Sequence, residues 1–161
     1  MSTMTSPATG LSFADLSEGM EMVSSTTRTV TQELVAAYAE VSGDFNPIHL
    51  DEEFARRTRF KTRIAHGGLG WAIATGLASR LGFTKEAVIF KRIEEWNFIR
   101  PIRLGDELRL KVRIFGLKPV NPRKPLREPA TARLAVELIN QDIRVVQYGT
   151  WFAEFHTLEL E

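Results

Sequence analysis

Cysteine is missing from this 161-residue chain, so disulfides and thiolate chemistry are excluded and a reducing compartment fits. Long apolar runs are missing too: none approaches the roughly 20 residues that a membrane-crossing helix needs. Neither sign of charge is in excess, with 21 basic side chains against 20 acidic and a formal net charge of +1. That balance points to neither a nucleic-acid nor a membrane partner, although it leaves room for local patches. The opening stretch MSTMTSPATGLSF has no basic segment followed by an apolar core; it reads as no secretory leader, and a cytoplasmic protein is expected. Histidine is scarce, at three (His49, His66, His156), and the separations match no metal-ligand pattern, so no metal is expected. Of the seven prolines, four fall within KPVNPRKPLREP (118–129). Proline cannot donate to a strand ladder, so this is a loop or edge connection. With Lys118, Arg123, Lys124 and Arg127 against Glu128 alone, it is either a solvated loop or a patch for an anionic ligand.

The residues present suggest a disordered arm over 1–10 and a single α+β domain over 11–161. GMEMVSSTTRTV (19–30) is β-branched and favours an extended strand. TQELVAAYAEVSGD (31–44) places Leu34, Val35, Tyr38 and Val41 at helical spacing, with Thr31 able to cap the start and Gly43 the end. DEEFARRTRF (51–60) reads as a short amphipathic helix, whose arginines form an exposed face or favour an anionic substrate. AHGGLGWAIATGLASRLG (65–82) reads as a helix apolar nearly all round, hence buried. Its early glycines each cost about 1 kcal/mol against alanine in a helix interior, so something must compensate. LRLKVRI (108–114) alternates cleanly as a strand with one packed face, and 131–155 resembles a hairpin turning near Asn140-Gln141-Asp142. One buried helix followed by antiparallel strands implies a sheet curling around that helix.

Two stretches carry candidate chemistry. In SGDFNPIHLD (42–51), Asp44 and His49 flank Asn46-Pro47, and proline stiffens the bend. Either this is an ordinary turn, or it brings a carboxylate and an imidazole onto one water for general acid–base work. In AHGGLGW (65–71), glycines open a helix whose first N–H groups lack internal acceptors. They permit close packing against a strand, or close approach of a carbonyl oxygen that develops negative charge.

YAEVSGDFNPIHLDEEFA (38–55) resembles the signature of the MaoC-like dehydratases, the (R)-specific enoyl-CoA hydratase family also called hydratase 2. The matching positions are Tyr38, Val41, Ser42, Gly43, Asp44, Asn46, Pro47, Ile48, His49 and Ala55. The likeness continues through 63–81 and 96–112 and covers roughly residues 13–155. It implies a hot-dog fold, in which a curved antiparallel sheet wraps a long central helix, and a homodimer or an assembly of dimers. It also implies reversible addition of water to a trans-2-enoyl-CoA, or to an acyl-carrier-protein thioester, giving the (R)-3-hydroxyacyl product. Asp44 and His49 would then activate water, and the Gly67 N–H would bind the thioester oxygen. Asn46 would brace the turn, and His66, Gly68 and Thr75 would stand on the substrate side. No cofactor is implied, since CoA belongs to the substrate. Gly68 and Gly70, where relatives carry larger residues, suggest an acyl tunnel of altered width, with Trp71 either in it or in the core. The alternatives are a non-catalytic or heteromeric subunit, or a hot-dog thioesterase. Thioesterases of this fold place an acid on the central helix, and 65–82 holds no Asp or Glu.

Overall fold

Four apolar side chains two apart, Leu108, Leu110, Val112 and Ile114, all turn inward and are essentially sealed from solvent in the computed structural model. A side chain of this size gains about 2 kcal/mol on full burial, so register here is strongly specified. The structure describes residues 4–5, 10–83, 86–121, 123 and 129–157. Its strands are β1 (Met4–Thr5), β2 (Glu21–Val23), β3 (Arg28–Thr29), β4 (Glu86–Phe98), β5 (Glu107–Lys118), β6 (Ala130–Ile139) and β7 (Val145–Thr157). Its helices are α1 (Gln32–Ser42), α2 (Pro47–Leu50), α3 (Glu52–Arg57) and α4 (Gly67–Ala78).

The strands form one sheet in the order β1-β2-β5-β6-β7-β4, with β3 also paired to β5. Every pairing is antiparallel except that of β1 with β2. The inward faces of β5, β6 and β7 meet the buried face of α4, formed by Leu69, Ile73, Ala74, Leu77 and Ala78. This is the expected α+β arrangement of a sheet on one helix. The β6–β7 hairpin turns at Asn140, whose Oδ1 accepts from Asp142 N and Arg144 N. Buried Asp106 ties that turn to the start of β5, accepting from Arg103 N at 2.8 Å and from Gln141 Nε2 at 3.0 Å. No helix of the described residues is long and apolar enough to cross a membrane.

Four expectations need correction. The strand over 19–30 is broken into β2 and β3 by a bend at Ser25-Thr26, where the Ser24 hydroxyl donates to Thr26 O and accepts from Leu110 N. Val41 is 87% exposed, because the inward face of α1 centres on Val35 and Ala39, and Val41 lies off that stripe. α4 is shorter than 65–82 and buried on one face only: Trp71, Ala72 and Gly76 point away from the sheet. Trp71 is therefore not a core residue of the single chain. Within the arm, Met4–Thr5 pairs with Met22-Val23, and residues 1–3 and 6–9 lie outside the described residues. So do 122 and 124–128 of the basic, proline-rich stretch.

Candidate active site

The turn that delivers Asp44 is built by its own side chains. Thr31 caps α1, accepting from Leu34 N, and Gly43 ends it at φ +74°, a left-handed conformation that suits glycine. Asp44 Oδ1 then accepts from Asn46 N at 3.1 Å, and Asn46 Oδ1 accepts from Ile48 N at 3.1 Å. Asn46 thereby caps α2, with Pro47 at its first position, where the missing N–H costs nothing. One helical turn carries the chain from Asn46 to His49. The expected brace is present, and the bend is a capped helical turn rather than a loose one.

Two histidines complete the cluster. The Nδ1 of His49 lies 2.8 Å from the backbone oxygen of Ile64. A carbonyl can only accept, so Nδ1 carries the hydrogen and Nε2 keeps its lone pair. The Nε2 of His66 likewise donates to the backbone oxygen of Asp44 at 2.9 Å. The two rings stack with centroids 3.8 Å apart, and His66 also packs against Tyr38 at 5.1 Å. His66 is only 2% exposed and supports the cluster from beneath. Burial holds the His49 imidazole below the ordinary value of 6.5, and neighbouring His66 adds to that lowering. The Ile64 carbonyl and the Asp44 carboxylate oppose it without prevailing.

Ligating atoms of Asp44, His49 and His66 all fall within 4.8 Å of one another; the approach of Asp44 to His49 was one reading of the turn, whereas the addition of His66 was not expected. A water bonded at about 2.8 Å to each of two partners bridges a gap of that size. A metal ion fits the donors poorly. His49 Nδ1 and His66 Nε2 both donate to backbone carbonyls, of Ile64 and Asp44, so neither offers an ion a lone pair. The free Nδ1 of His66 is moreover sealed from solvent.

His49 and Gly67 line the same cavity, of about 270 Å³, together with Phe98, Ile102 and Gln147. Gly67 is the first residue of α4, and among the described residues no backbone carbonyl accepts its N–H. A Cβ at Gly67 would lie 2.8 Å from the Phe98 ring, and one at Gly68 within contact of the Tyr38 hydroxyl. A Cβ at Gly70 would collide with the Gln147 amide and Ile102. The space that glycine leaves at 68 and 70 is thus filled by Tyr38, Gln147 and Ile102 and does not widen a tunnel. These contacts are the compensation that the glycine-rich helix start requires. Gly68 does not line the cavity, nor does Thr75, two turns along, whose hydroxyl donates to Ala72 O. Of the nearby basic residues, Arg56 and Arg63 pair with Glu52, while Arg59 and Arg100 line the cavity.

Sequence reasoning missed Gln147 and Trp96. Gln147 Nε2 donates to Gly67 O at 2.9 Å, and Trp96 Nε1 donates to Gln147 Oε1 at 3.3 Å. The available signal was the alternation of β7, where Gln147 shares the inward phase of Gly149, Trp151, Ala153 and Phe155. A glutamine in that phase requires a buried partner.

Residues 14–134 match the family model of the MaoC like domain. The 3-hydroxybutyryl-CoA dehydratase of Methylorubrum extorquens is 38% identical over 120 residues, which is 72% of this chain and 71% of that one. An unliganded R-hydratase from Pseudomonas aeruginosa superposes with a TM-score of 0.76 and 27% identity, covering 94% of this chain and 92% of that one. A Mycobacterium tuberculosis protein described as a double hot-dog fold superposes at 0.71 and 22% identity, over 94% of this chain and 46% of that one. At that identity it speaks for the fold alone: the sheet and α4 are a hot-dog.

Proposed function

Since the chain belongs to the MaoC-like dehydratase family, we propose that it is a hydratase/dehydratase adding water reversibly across the 2,3 double bond of a trans-2-enoyl-CoA to give the (R)-3-hydroxyacyl-CoA. It is a carbon–oxygen lyase, the class of the relatives just named. The observation that carries the reading is the convergence of the Asp44 carboxylate and the His49 imidazole within 4.8 Å, beside the cavity that Gly67 opens.

The thioester oxygen accepts from the Gly67 N–H, which draws electron density from C3. Water held between Asp44 and His49 adds its oxygen to C3 and gives a proton to His49 Nε2. The electron pair of the double bond moves toward the thioester oxygen as an enolate, which the same N–H stabilises. That proton then returns to C2, leaving His49 neutral. Asp44 orients the water and stabilises the imidazolium between the two transfers. The step balances without a metal or an organic cofactor, and CoA enters as part of the substrate.

A second copy of the chain is the partner we propose. β4 ends the sheet, is 13 residues long, and exposes Ile89, Phe90 and Ile93. An open edge of that length is a template for pairing with another strand. We place the reaction in the cytoplasm.

The test is loss of the conjugated enoyl-thioester absorbance of crotonyl-CoA on adding the protein. Asp44→Asn and His49→Ala should each lower kcat by at least about a hundredfold, as expected for groups handling the proton. Turnover by either variant at the wild-type rate would refute the assignment, and release of free thiol without hydration would move the chain to the thioesterases.

A further inference from the structure

Gln147 sits where the strand pattern calls for an apolar residue, and it is 2% exposed. Its amide is used at both ends. Nε2 donates to Gly67 O, and Oε1 accepts from Trp96 Nε1. The protein also makes room for it: a Cβ at Gly70 would collide with Nε2 and stand 2.7 Å from Oε1. Trp151, by contrast, fills its place in the core with no hydrogen-bond partner for its Nε1 among the described residues. A buried glutamine that links a β4 indole to the first carbonyl of α4 therefore needs a reason beyond packing.

We propose that Gln147 is a positioning residue that sets the orientation of the Gly67 amide, with Trp96 holding its far end and Gly70 admitting it to the helix. Gly67 has no side chain to lock its backbone, and it opens the helix, where fraying is easiest. Its N–H and its carbonyl flank a single Cα. Anchoring the carbonyl limits rotation about that Cα and so fixes the direction in which the N–H points into the cavity. Because the cavity contains both Gly67 and His49, the anchor also sets the distance between the thioester oxygen and the activated water. This inference rests on the hydratase reading above, in which the Gly67 N–H holds the thioester oxygen.

The test uses Gln147→Met, which keeps length and removes both bonds, and Gly70→Ala, which leaves Gln147 in place and drives its amide away. Ordinarily Gly→Ala in a helix is favourable, so a loss in Gly70→Ala would run against propensity. Both variants should lower kcat for crotonyl-CoA hydration by about tenfold to a hundredfold with KM within about twofold, the mark of an interaction felt in the transition state. Trp96→Phe should fall in the same direction by less. In the ligand-free protein, the backbone amide resonance of Gly67 should shift in all three variants, while resonances on β5 stay in place. The inference is overturned if kcat is unchanged, if only KM rises, or if the Gly67 resonance does not move. Should Gln147→Met fail to fold, Gly70→Ala and Trp96→Phe decide by the same readings. If the wild type does not hydrate crotonyl-CoA, the hydratase reading fails, and the resonance alone reports whether Gln147 orients the amide.

Discussion

Gly68→Ala isolates the conflict between local propensity and tertiary contact at the start of α4. By propensity alone, alanine should stabilise the helix by up to about 1 kcal/mol. A Cβ at position 68 would instead overlap the Tyr38 hydroxyl and lie 3.0 Å from Tyr38 Cζ. The tyrosine ring must therefore retreat by roughly an ångström to reach ordinary contact, and it packs on His66, which stacks on His49 and holds the Asp44 carbonyl. Overpacking of this kind costs about 1–3 kcal/mol. The expected net is a destabilisation of about 1–2 kcal/mol, read as a lower urea midpoint at unchanged slope. Tyr38→Phe removes the overlapping oxygen, and the ring carbon left behind is at a separation that a small shift relieves. The double variant Tyr38→Phe with Gly68→Ala should therefore recover the loss, giving a coupling of about 1–2 kcal/mol. The single variant should also lower kcat, because the displacement reaches the ring beneath His49. Additive effects, or a Gly68→Ala protein more stable than wild type, would refute the claim that this glycine exists to admit Tyr38.

Titration and assembly supply two further tests. With its folded pKa lowered by burial, His49 binds fewer protons in the folded chain than in the unfolded one between that value and about 6.5. Its contribution to stability is therefore complete above about 6.5 and is lost as pH falls through the window, and His49→Gln should flatten the difference in urea midpoints between about pH 5 and pH 7.5. The acid limb of kcat/KM should have its midpoint below about 6.5 if the neutral imidazole is the base, as proposed; a midpoint above that would contradict the burial argument. For the β4 edge, Ile93→Lys should halve the sedimenting mass, and a wild-type monomer or a variant that stays dimeric would remove this edge as the contact.

Local pattern carried much of the fold. The alternation in 108–114, the caps at Thr31 and Gly43, and the turn at Asn140 each depend on residues a few positions apart, and all appear as expected. The stiffness of Asn46-Pro47 was legible for the same reason. What was hidden depends on distant partners. His66 meets the Asp44 carbonyl across 22 residues and Gln147 meets Gly67 across 80, and no periodicity encodes either approach. The outward face of α4 was misread because hydrophobicity alone does not tell whether one layer covers a helix or two. Gly68 and Gly70 were misread in the same way: a missing side chain suggests open space, but neighbouring side chains decide whether the space is empty.

An ordinary turn and the proton-handling turn proposed above are compatible in this geometry. Asp44 Oδ1 stabilises the turn by accepting from Asn46 N–H, and that same bond holds the carboxylate in one orientation toward His49. The Ile64 carbonyl satisfies a buried imidazole nitrogen, and by doing so it fixes the tautomer that leaves Nε2 basic. Deleting either side chain would remove structure and chemistry together, and a stability change could not tell them apart. Asp44→Asn separates them, because its amide oxygen still accepts from Asn46 N–H while the charge that supports the imidazolium is gone. Wild-type melting with lost hydration is the expected result. Lost hydration with an equally large loss of stability would instead mean that the carboxylate's first task is to hold the bend.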